Sequence, residues 1–324
     1  MTLFTTNTKV IPIEIPVSNI LKSINFYIIE RNNSLFLIDA GVNHDTYWDA
    51  FVLALQEHGY QLNDLDAILL THHHPDHVGL VYRIAALLNI PVYIHPYGLP
   101  KLKGDHEYLY MSYMFFGDLF NKLNCGDFGQ AEAKRVYNNR LNQRETAIDW
   151  NIQELNRQTV FDFDVIHIPG HAPDQVAFYL EDLDIVFSGD LLIEHQAVSA
   201  FTEPTFHGKR MKALQQHRQS LEKIIQLNPK LALSGHGTVI KEPAILAKKR
   251  LDAIDKKAKR FLSMIEKGIS TGSELVKQRH PVKYEKIFYT VIRDALSFLD
   301  YLEDTGAVEK EEVNGIWHYK ASQT

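Results

Sequence analysis

Residues 67–77 read AILLTHHHPDH, an apolar run followed directly by a cluster of histidines and an aspartate. The apolar run is typical of a buried parallel strand, and the histidines begin where that strand ends. In open α/β sheets, ligands bind beyond the carboxyl ends of the strands. Imidazole nitrogens and carboxylate oxygens are donors that zinc, iron and manganese accept. The stretch therefore predicts a metal site at the end of a strand.

The spacing divides these donors into two groups. On extended backbone, His72 and His74 point the same way and can hold one metal, whereas His73 points elsewhere. Asp76 and His77 follow the proline turn and can face a second metal. The alternative is a polar loop rich in histidine, an interpretation that suits His73. Four histidines in seven residues argue against it for the group as a whole.

Length and charge indicate an ordinary globular enzyme. The 324 residues are 45% hydrophobic and 23% charged, enough for a large domain plus a small one. The net charge of −6 gives no reason to expect indiscriminate binding of nucleic acid or membrane. A single cysteine, Cys125, excludes an internal disulfide, and no leader-like or membrane-length apolar run occurs. A cytoplasmic protein without a membrane partner is expected.

Periodicity predicts mixed sheets covered by helices. Strands are predicted over 10–17, 24–30, 34–39, 67–71, 92–94, 159–168, 176–180, 185–188 and 231–233, and helices over 44–58, 78–89 and 211–226. Residues 96–150 are strand-poor and crowded with aromatic and methionine side chains, which indicates an inserted helical pair. Such side chains usually pack against the rest of a fold, but they can also roof a site and offer an apolar wall to a substrate.

Three further donors each follow a predicted strand and a glycine. They occur in Gly170-His171, Gly189-Asp190 and Gly235-His236. Glycine at such a place lets the backbone turn sharply and approach a ligand closely. One histidine or aspartate of this kind is usually structural, but the repeated setting argues for a shared site. His95 also follows a strand, but it has no place in this set and is expected to be structural.

These motifs together resemble the metallo-β-lactamase superfamily over about residues 10–243. Asp39-Ala40-Gly41, the His-x-His-x-Asp-His pattern at 72–77 and the three glycine motifs follow the family's order. The resemblance implies an α/β fold, a four-layer αβ/βα sandwich of two mixed β-sheets flanked by helices. It places a catalytic domain over 1–243, with the helical insertion at about 96–150.

The resemblance also implies two divalent metal ions, zinc before iron or manganese. One would be held by His72, His74 and His171 and the other by Asp76, His77 and His236, with Asp190 bridging both. A metal-bridging hydroxide would attack a carbonyl or phosphoryl centre, because bound metals lower the pKa of water towards ~7. Asp76 and Asp190 are the expected catalytic residues, Asp76 as the proton shuttle. Asp39 is expected to fix a histidine tautomer, or equally to end its strand in a turn.

The C-terminal residues 244–324 predict a second, smaller domain. A basic helix over 244–266, a short capped helix after Thr271, a helix over 283–304 and a hairpin around Asn314-Gly315 resemble a winged-helix unit. Residues 241–324 carry 16 basic and 13 acidic side chains, so their balance is only +3. Acidic residues surround Lys286 and Arg293 in the last helix, which would repel phosphates. Packing on the catalytic domain, closure of its cleft or a subunit contact is therefore favoured over DNA binding.

The leading hypothesis for function is hydrolysis of small esters, thioesters or lactones, with an apolar acyl part against the insertion. Ile193 stands where lactone-cleaving relatives often have a tyrosine, which argues against a quorum lactonase. The alternatives are a single-strand RNA endonuclease and a ligand-sensing DNA-binding regulator. Lys209, Arg210 and Lys212 form the only tight basic cluster near the proposed mouth, too few for a nucleic-acid partner. The oligomeric state stays open.

Overall fold

Two β-sheets form the centre of the structure, a computed structural model that describes residues 3–4, 7–144 and 151–323. The first sheet runs in the order β1 to β7, antiparallel from β1 to β4 and parallel from β4 to β7. Its strands are β1 Leu3–Phe4, β2 Thr8–Pro16, β3 Ser23–Arg31, β4 Ser34–Ile38, β5 Leu65–Leu69, β6 Val92–Ile94 and β7 Ile152–Glu154.

The second sheet has the order β12-β11-β10-β9-β8, with only β11 and β12 parallel. Its strands are β8 Thr159–Val160, β9 Phe163–His167, β10 Val176–Leu180, β11 Ile185–Gly189 and β12 Leu231–Ser234. Side chains from both sheets share one apolar core, among them Phe36, Phe163 and Phe187. The sheets therefore pack face to face, and the predicted α/β class with two mixed sheets is confirmed.

Helices cover the outer face of each sheet. The helices are α1 Asp45–Glu57, α2 Pro75–Val78, α3 Val81–Leu87, α4 Leu99–Leu102, α5 His106–Lys122, α6 Gly126–Arg144, α7 Ala213–Leu227, α8 Pro243–Glu266, α9 Gly272–Arg279, α10 Lys283–Lys286 and α11 Phe288–Asp304. Helix α1 illustrates how the sequence forms such a helix. Tyr47, Phe51 and Leu55 recur at helical spacing and enter the core. At the start of the helix, the His44 side chain accepts a hydrogen bond from the Thr46 backbone N–H.

The predicted strand over 159–168 was wrong as a single element. The chain turns back at Phe161 and Asp162, both with left-handed φ angles of 48° and 61°, so that β8 pairs antiparallel with β9. No glycine or proline marks this turn.

The predicted helix over 78–89 is present only as α3, Val81–Leu87, because a junction separates it from α2, which ends at Val78. The junction lies at Gly79, which is pressed against the backbone before α1, since a Cβ there would lie 2.2 Å from the Asn43 nitrogen. The predicted helix over 283–304 is interrupted at Ile287, which separates α10 from α11.

The predicted helical insertion is present as the antiparallel pair α5 and α6, whereas residues 145–150 lie outside the described part of the chain. The inner face of α5, with Phe116 and Phe120, packs on Phe288 and Tyr289 of α11. Core packing therefore accounts for most of the aromatic crowding in this segment.

The C-terminal segment consists of α8 to α11 followed by the hairpin of β13 Val308–Val313 and β14 Ile316–Ala321. The hairpin turns at Asn314 and Gly315, both with left-handed φ angles, as the sequence predicts. Helix α11 is buried along almost its whole length and shares one core with the second sheet and the insertion. The segment is thus packed against the catalytic part. Among the residues that the structure describes, no helix has the length and apolar character needed to cross a membrane.

Candidate metal centre

The seven predicted donors lie on four loops at the carboxyl ends of strands. The loop after β5 carries His72 and His74 and continues into α2 with Asp76 and His77. His171 follows β9, Asp190 follows β11, and His236 follows β12. Both sheets thus contribute, and residues up to 164 positions apart in the chain meet in one place.

Three imidazoles form the first group of donors. The His74 Nδ1 atom lies 3.0 Å from His72 Nε2 and 2.9 Å from His171 Nε2. His72 is fully buried and His171 nearly so. Three nitrogens that converge from two loops at this spacing can act as three ligands of one metal ion.

Asp76, His77 and His236 form the second group. The His236 Nε2 atom lies 3.4 Å from an Asp76 carboxylate oxygen. Asp190 lies between the groups, because its carboxylate oxygens are 3.3 Å from His77 Nε2, 3.2 Å from His236 Nε2 and 3.5 Å from His171 Nε2. Its carboxylate therefore contacts members of both groups.

The buried atoms at the centre of this cluster fit a cation. His77 Nε2, His236 Nε2 and Asp190 Oδ1 are all buried and have no hydrogen-bond partner. Unpaired buried polar atoms are costly, so native proteins seldom leave several together. Five imidazoles and two carboxylates are the donor set that zinc and similar divalent ions accept. The residues present therefore suit divalent metal ions.

Hydrogen bonds behind the donors fix the orientation of His72 and His77. The Thr71 hydroxyl donates to the Asp39 carboxylate at 2.8 Å, so its oxygen is available to accept from His72 Nδ1 at 3.1 Å. His77 Nδ1 donates to the same carboxylate, also at 2.8 Å. In each ring Nδ1 is thereby engaged behind the site, and Nε2 is the nitrogen that faces the centre. Asp39 also has a left-handed φ of 58°, so it both ends its strand and orients a histidine.

Backbone carbonyls fix the orientation of His171 and His236. His171 Nδ1 donates to the Ser199 carbonyl at 3.1 Å, and His236 Nδ1 donates to the Ser23 carbonyl at 2.9 Å. Gly235 lets the β12 loop come this close, since a Cβ there would lie 2.5 Å from the His77 ring and 2.7 Å from Asp190. These carbonyl partners leave no signal in the sequence.

Burial keeps the first group neutral. It lowers the pKa of His72 and His74 well below the ordinary range of histidine, and neighbouring imidazoles act in the same direction. Burial also lowers the pKa of His171. Metal ligands must be deprotonated, so this group is ready to bind a cation at neutral pH.

The second group is dominated by its carboxylates. Burial lowers the pKa of His77, but Asp39 and Asp190 outweigh it and hold that pKa well above the ordinary range. Burial likewise lowers the pKa of His236, and Asp190 reverses the effect. Burial raises the pKa of Asp190, whereas His236 and His77 bring it well below the usual range. Metal binding here must displace protons from imidazoles.

Two other histidines lie apart from the donors. His95 stacks on His167 with ring centroids 4.2 Å apart, which agrees with the structural role expected for it. His73 points away from the centre, as predicted, and lies in the loop between β5 and α2. Its Nδ1 atom forms a buried contact of 2.7 Å with Asp174. That partner lies 101 residues further along the chain, so the sequence could not reveal it.

A cavity of about 280 Å³ adjoins the first group of donors. His73, His74 and Pro75 form one side of it, and Lys101 and Arg140 from the insertion line it as well. The remaining walls are largely apolar. The sequence indicated the apolar wall of the insertion but gave no reason to single out these two cations.

Two mixed sheets between helical layers, with histidine and aspartate donors at the strand ends, define a metal-dependent hydrolase of the αβ/βα type. The family model described as the metallo-beta-lactamase superfamily matches residues 20–236. The chain belongs to this superfamily and is a metallo-hydrolase.

Two curated relatives show how the similarity extends along the chain. "Probable metallo-hydrolase YqjP" of Bacillus subtilis is 26% identical over 306 residues, 94% of this chain and 95% of the relative. "Atrochrysone carboxyl ACP thioesterase" of Aspergillus fumigatus is 24% identical over 242 residues, 74% of this chain and 58% of that protein. The first match includes the C-terminal segment as well as the donors.

Solved structures show that the whole fold is shared. The crystal structure of a metallo-beta-lactamase family protein from Thermus thermophilus has a TM-score of 0.78 at 23% identity and covers 97% of this chain and 98% of that chain. A beta-lactamase domain protein from Burkholderia ambifaria has a TM-score of 0.77 at 16% identity, covering 99% and 94%. The C-terminal segment is therefore part of a fold that other members also have.

The hydrogen bond from His77 to Asp39 yields a first prediction. Asp39→Asn is expected to weaken metal binding about 10- to 100-fold, because an amide no longer accepts strongly from His77 Nδ1. Competition titration against a chromophoric chelator measures the change. Asp118→Asn, an exposed carboxylate on α5, is the matched control and should bind metal as the natural protein does. Equal affinity in both variants would contradict the orienting role of Asp39.

Proposed function

We propose that the chain is a binuclear metal-dependent hydrolase of small esters, thioesters or lactones. The observation that carries this proposal is the position of Asp190, whose carboxylate contacts histidines of both donor groups. A carboxylate shared in this way suits a pair of divalent ions, of which zinc is proposed first and iron or manganese next.

In this proposal His72, His74 and His171 hold one ion, and Asp76, His77 and His236 hold the other. Two divalent ions, when bound, supply an acidified water and stabilise negative charge on a substrate oxygen. Asp190 fixes the spacing of the two groups.

Asp76 is the better placed of the two catalytic carboxylates for proton transfer to a leaving group. Its side chain is 27% exposed, compared with 7% for Asp190. A carboxylate that reaches both the centre and solvent can pass a proton between them.

The cavity and a relative support acyl substrates. Apolar side chains, among them Val78 and Leu109, line the cavity beside the donors and can accept an acyl chain. A similar protein of Aspergillus fumigatus is named as a thioesterase, which is consistent with cleavage of a thioester here. Ile193 is buried after Asp190 and offers no hydroxyl to a lactone. Esters and thioesters are therefore proposed before lactones.

We also propose a division into a catalytic domain over 1–243 and a winged-helix-like domain over 244–324, whose role is to pack on the catalytic domain. Helix α11 lies where a DNA-binding winged helix would have its recognition helix, and it is buried. Two of the basic side chains near the mouth are engaged with it, since Arg210 pairs with Asp300 and Lys212 with Asp304. These contacts favour neither the RNA endonuclease nor the DNA-binding regulator.

A cytoplasmic location and a small-molecule partner complete the proposal. The single cysteine of the sequence, Cys125, is buried in the core beside α6. Burial raises its pKa to about 12, so the thiol is not activated. A buried, unpaired thiol is compatible with a reducing compartment.

The test is metal analysis followed by a substrate screen. We expect about two divalent ions per chain, and hydrolysis of p-nitrophenyl butyrate and of an acyl thioester that stops on chelation and returns when zinc is added back. Lactones and labelled single-stranded RNA complete the screen. Cleavage of RNA without acyl hydrolysis would replace the proposal with the nuclease alternative.

A further inference from the structure

We propose that Lys101 and Arg140 form an anion-binding subsite, which selects acyl substrates that carry a carboxylate or phosphate group away from the scissile bond. This inference rests on the proposed acyl hydrolysis and names its substrate class more narrowly. The subsite belongs to the insertion, since Lys101 lies on α4 and Arg140 on α6.

The cavity connects this subsite to the metal centre. Lys101 and Arg140 line the same cavity as His74 and Pro75. A substrate in it can therefore place its carbonyl at the donors while another group reaches the two cations. At about 280 Å³, the cavity matches a small substrate rather than a polymer.

A buried network holds Lys101 in place. The Lys101 side chain is only 5% exposed and its ammonium group pairs with Glu203. Glu203 is shared, because its other oxygen accepts from Arg293 of α11 at 2.7 Å. A lysine anchored in this way presents its charge at a fixed place in the cavity wall rather than on a mobile surface chain.

The charges of this buried group do not cancel. Among the residues that the structure describes, this group contains three cations, Lys101, Arg140 and Arg293, and two carboxylates, Glu203 and Asp174. The described cations of this group therefore outnumber its described carboxylates.

The pKa of Lys101 reflects the same arrangement. Burial lowers it, Glu203 and Asp174 oppose that effect, and Arg140 lies close enough to lower it further. Glu203 acts on both cations, and an anion in the cavity would give Lys101 and Arg140 a further charged partner.

The surroundings strengthen the attraction for an anion. Apolar side chains, among them Val42, Leu102 and Leu109, line the rest of the cavity and reduce the local dielectric. Guanidinium groups bind carboxylate and phosphate in a fixed fork geometry. The acyl chain would lie along the apolar wall and the anion at the cationic end. Two sources of the anion fit: a carboxylate at the far end of the acyl chain, or a phosphate in the leaving thiol.

The test compares matched pairs of substrates in the metal-loaded protein. Comparison of mono-p-nitrophenyl glutarate with p-nitrophenyl pentanoate tests whether a carboxylate is recognised. Comparison of butyryl-coenzyme A with S-butyryl-N-acetylcysteamine tests whether phosphate is recognised. We expect the natural protein to prefer the charged member of at least one pair. Arg140→Gln should reduce that preference in kcat/KM by about tenfold or more, the usual effect of losing a charge-assisted hydrogen bond. Arg140→Lys should retain most of it.

Arg135→Gln is the control on the same helix, because Arg135 is exposed and pairs with Glu132. It should leave both preferences as they are. Calorimetric binding of glutarate and of inorganic phosphate gives a second readout that needs no turnover, and binding should weaken about tenfold or more in Arg140→Gln only. If neither anion binds in a manner dependent on Arg140 and neither pair shows a preference, the subsite is overturned. Arg140-dependent binding without hydrolysis of any acyl substrate would instead refute the proposed function.

Discussion

Asp190→Asn is expected to lose about 10³-fold or more in kcat/KM for p-nitrophenyl butyrate, the largest effect of any single change in this protein. The asparagine amide keeps the size of the side chain but removes the charge that faces His77, His171 and His236. In the proposed binuclear site this carboxylate would contribute to holding both ions, and a pair of ions would stabilise developing negative charge by several kcal/mol. Each factor of ten in rate corresponds to about 1.4 kcal/mol.

Steady-state kinetics and metal analysis of the same samples measure this effect. Asp164→Asn serves as the control, because Asp164 is an exposed carboxylate on β9 of the same sheet and lies outside the donor set. Its activity and metal content should match those of the natural protein. An Asp190→Asn variant that keeps both its metal and its turnover within tenfold would contradict the bridging role.

The donor set could be predicted because each of its signals is local. The four donors within 72–77 follow one apolar strand closely, and His171, Asp190 and His236 each follow a strand and a glycine. The physics that places ligands at strand ends acts over short stretches of chain. One of the two interpretations of Asp39 was that it fixes a histidine tautomer, and its carboxylate lies 2.8 Å from His77 Nδ1.

The fold was predictable where side-chain periodicity and turn residues agree. The hairpin at Asn314 and Gly315 has both signals, and it is present. The turn at Phe161 and Asp162 has neither glycine nor proline, so its apolar neighbours continued the strand pattern and the division into β8 and β9 was missed. Tertiary packing, not local preference, selected that turn.

The cationic wall of the cavity could not be predicted from the sequence. Lys101 and Glu203 are 102 residues apart, and Glu203 and Arg293 are 90 residues apart. Each of them looks like an ordinary surface charge until three distant segments pack together. Such a network has no period and no spacing rule, and only the folded chain brings its members into contact.

The same network joins the C-terminal segment to the metal centre. The Arg293 guanidinium lies 5.0 Å from the centre of the Phe201 ring. Phe201 in turn packs on His171, with ring centroids 5.3 Å apart. Helix α11 therefore packs, through Arg293 and Phe201, behind the His171 ring. This packing helps to position His171, in addition to the charge that Arg293 supplies.

Arg293→Met is expected to lower the free energy of unfolding by about 3 kcal/mol, the lower end of the range for breaking a buried ion pair. Arg293 donates to the Thr202 carbonyl and to Glu203, and its loss leaves both acceptors short of a donor. The loss stays near the lower limit because Lys101 still neutralises Glu203. Urea denaturation measures the change. Lys320→Met, in an exposed pair with Glu309, should cost about 1 kcal/mol or less.

The double variant Arg293→Met/Glu203→Gln separates this explanation from a simple loss of packing. Removing both partners of an isolated ion pair restores part of the stability, because no charge is left unpaired. Here Glu203 also neutralises Lys101, so the double variant leaves a buried ammonium without its carboxylate. We therefore expect the double variant to be less stable than Arg293→Met alone. A double variant that regains stability would show that Lys101 does not depend on Glu203 and that the network is two separate contacts.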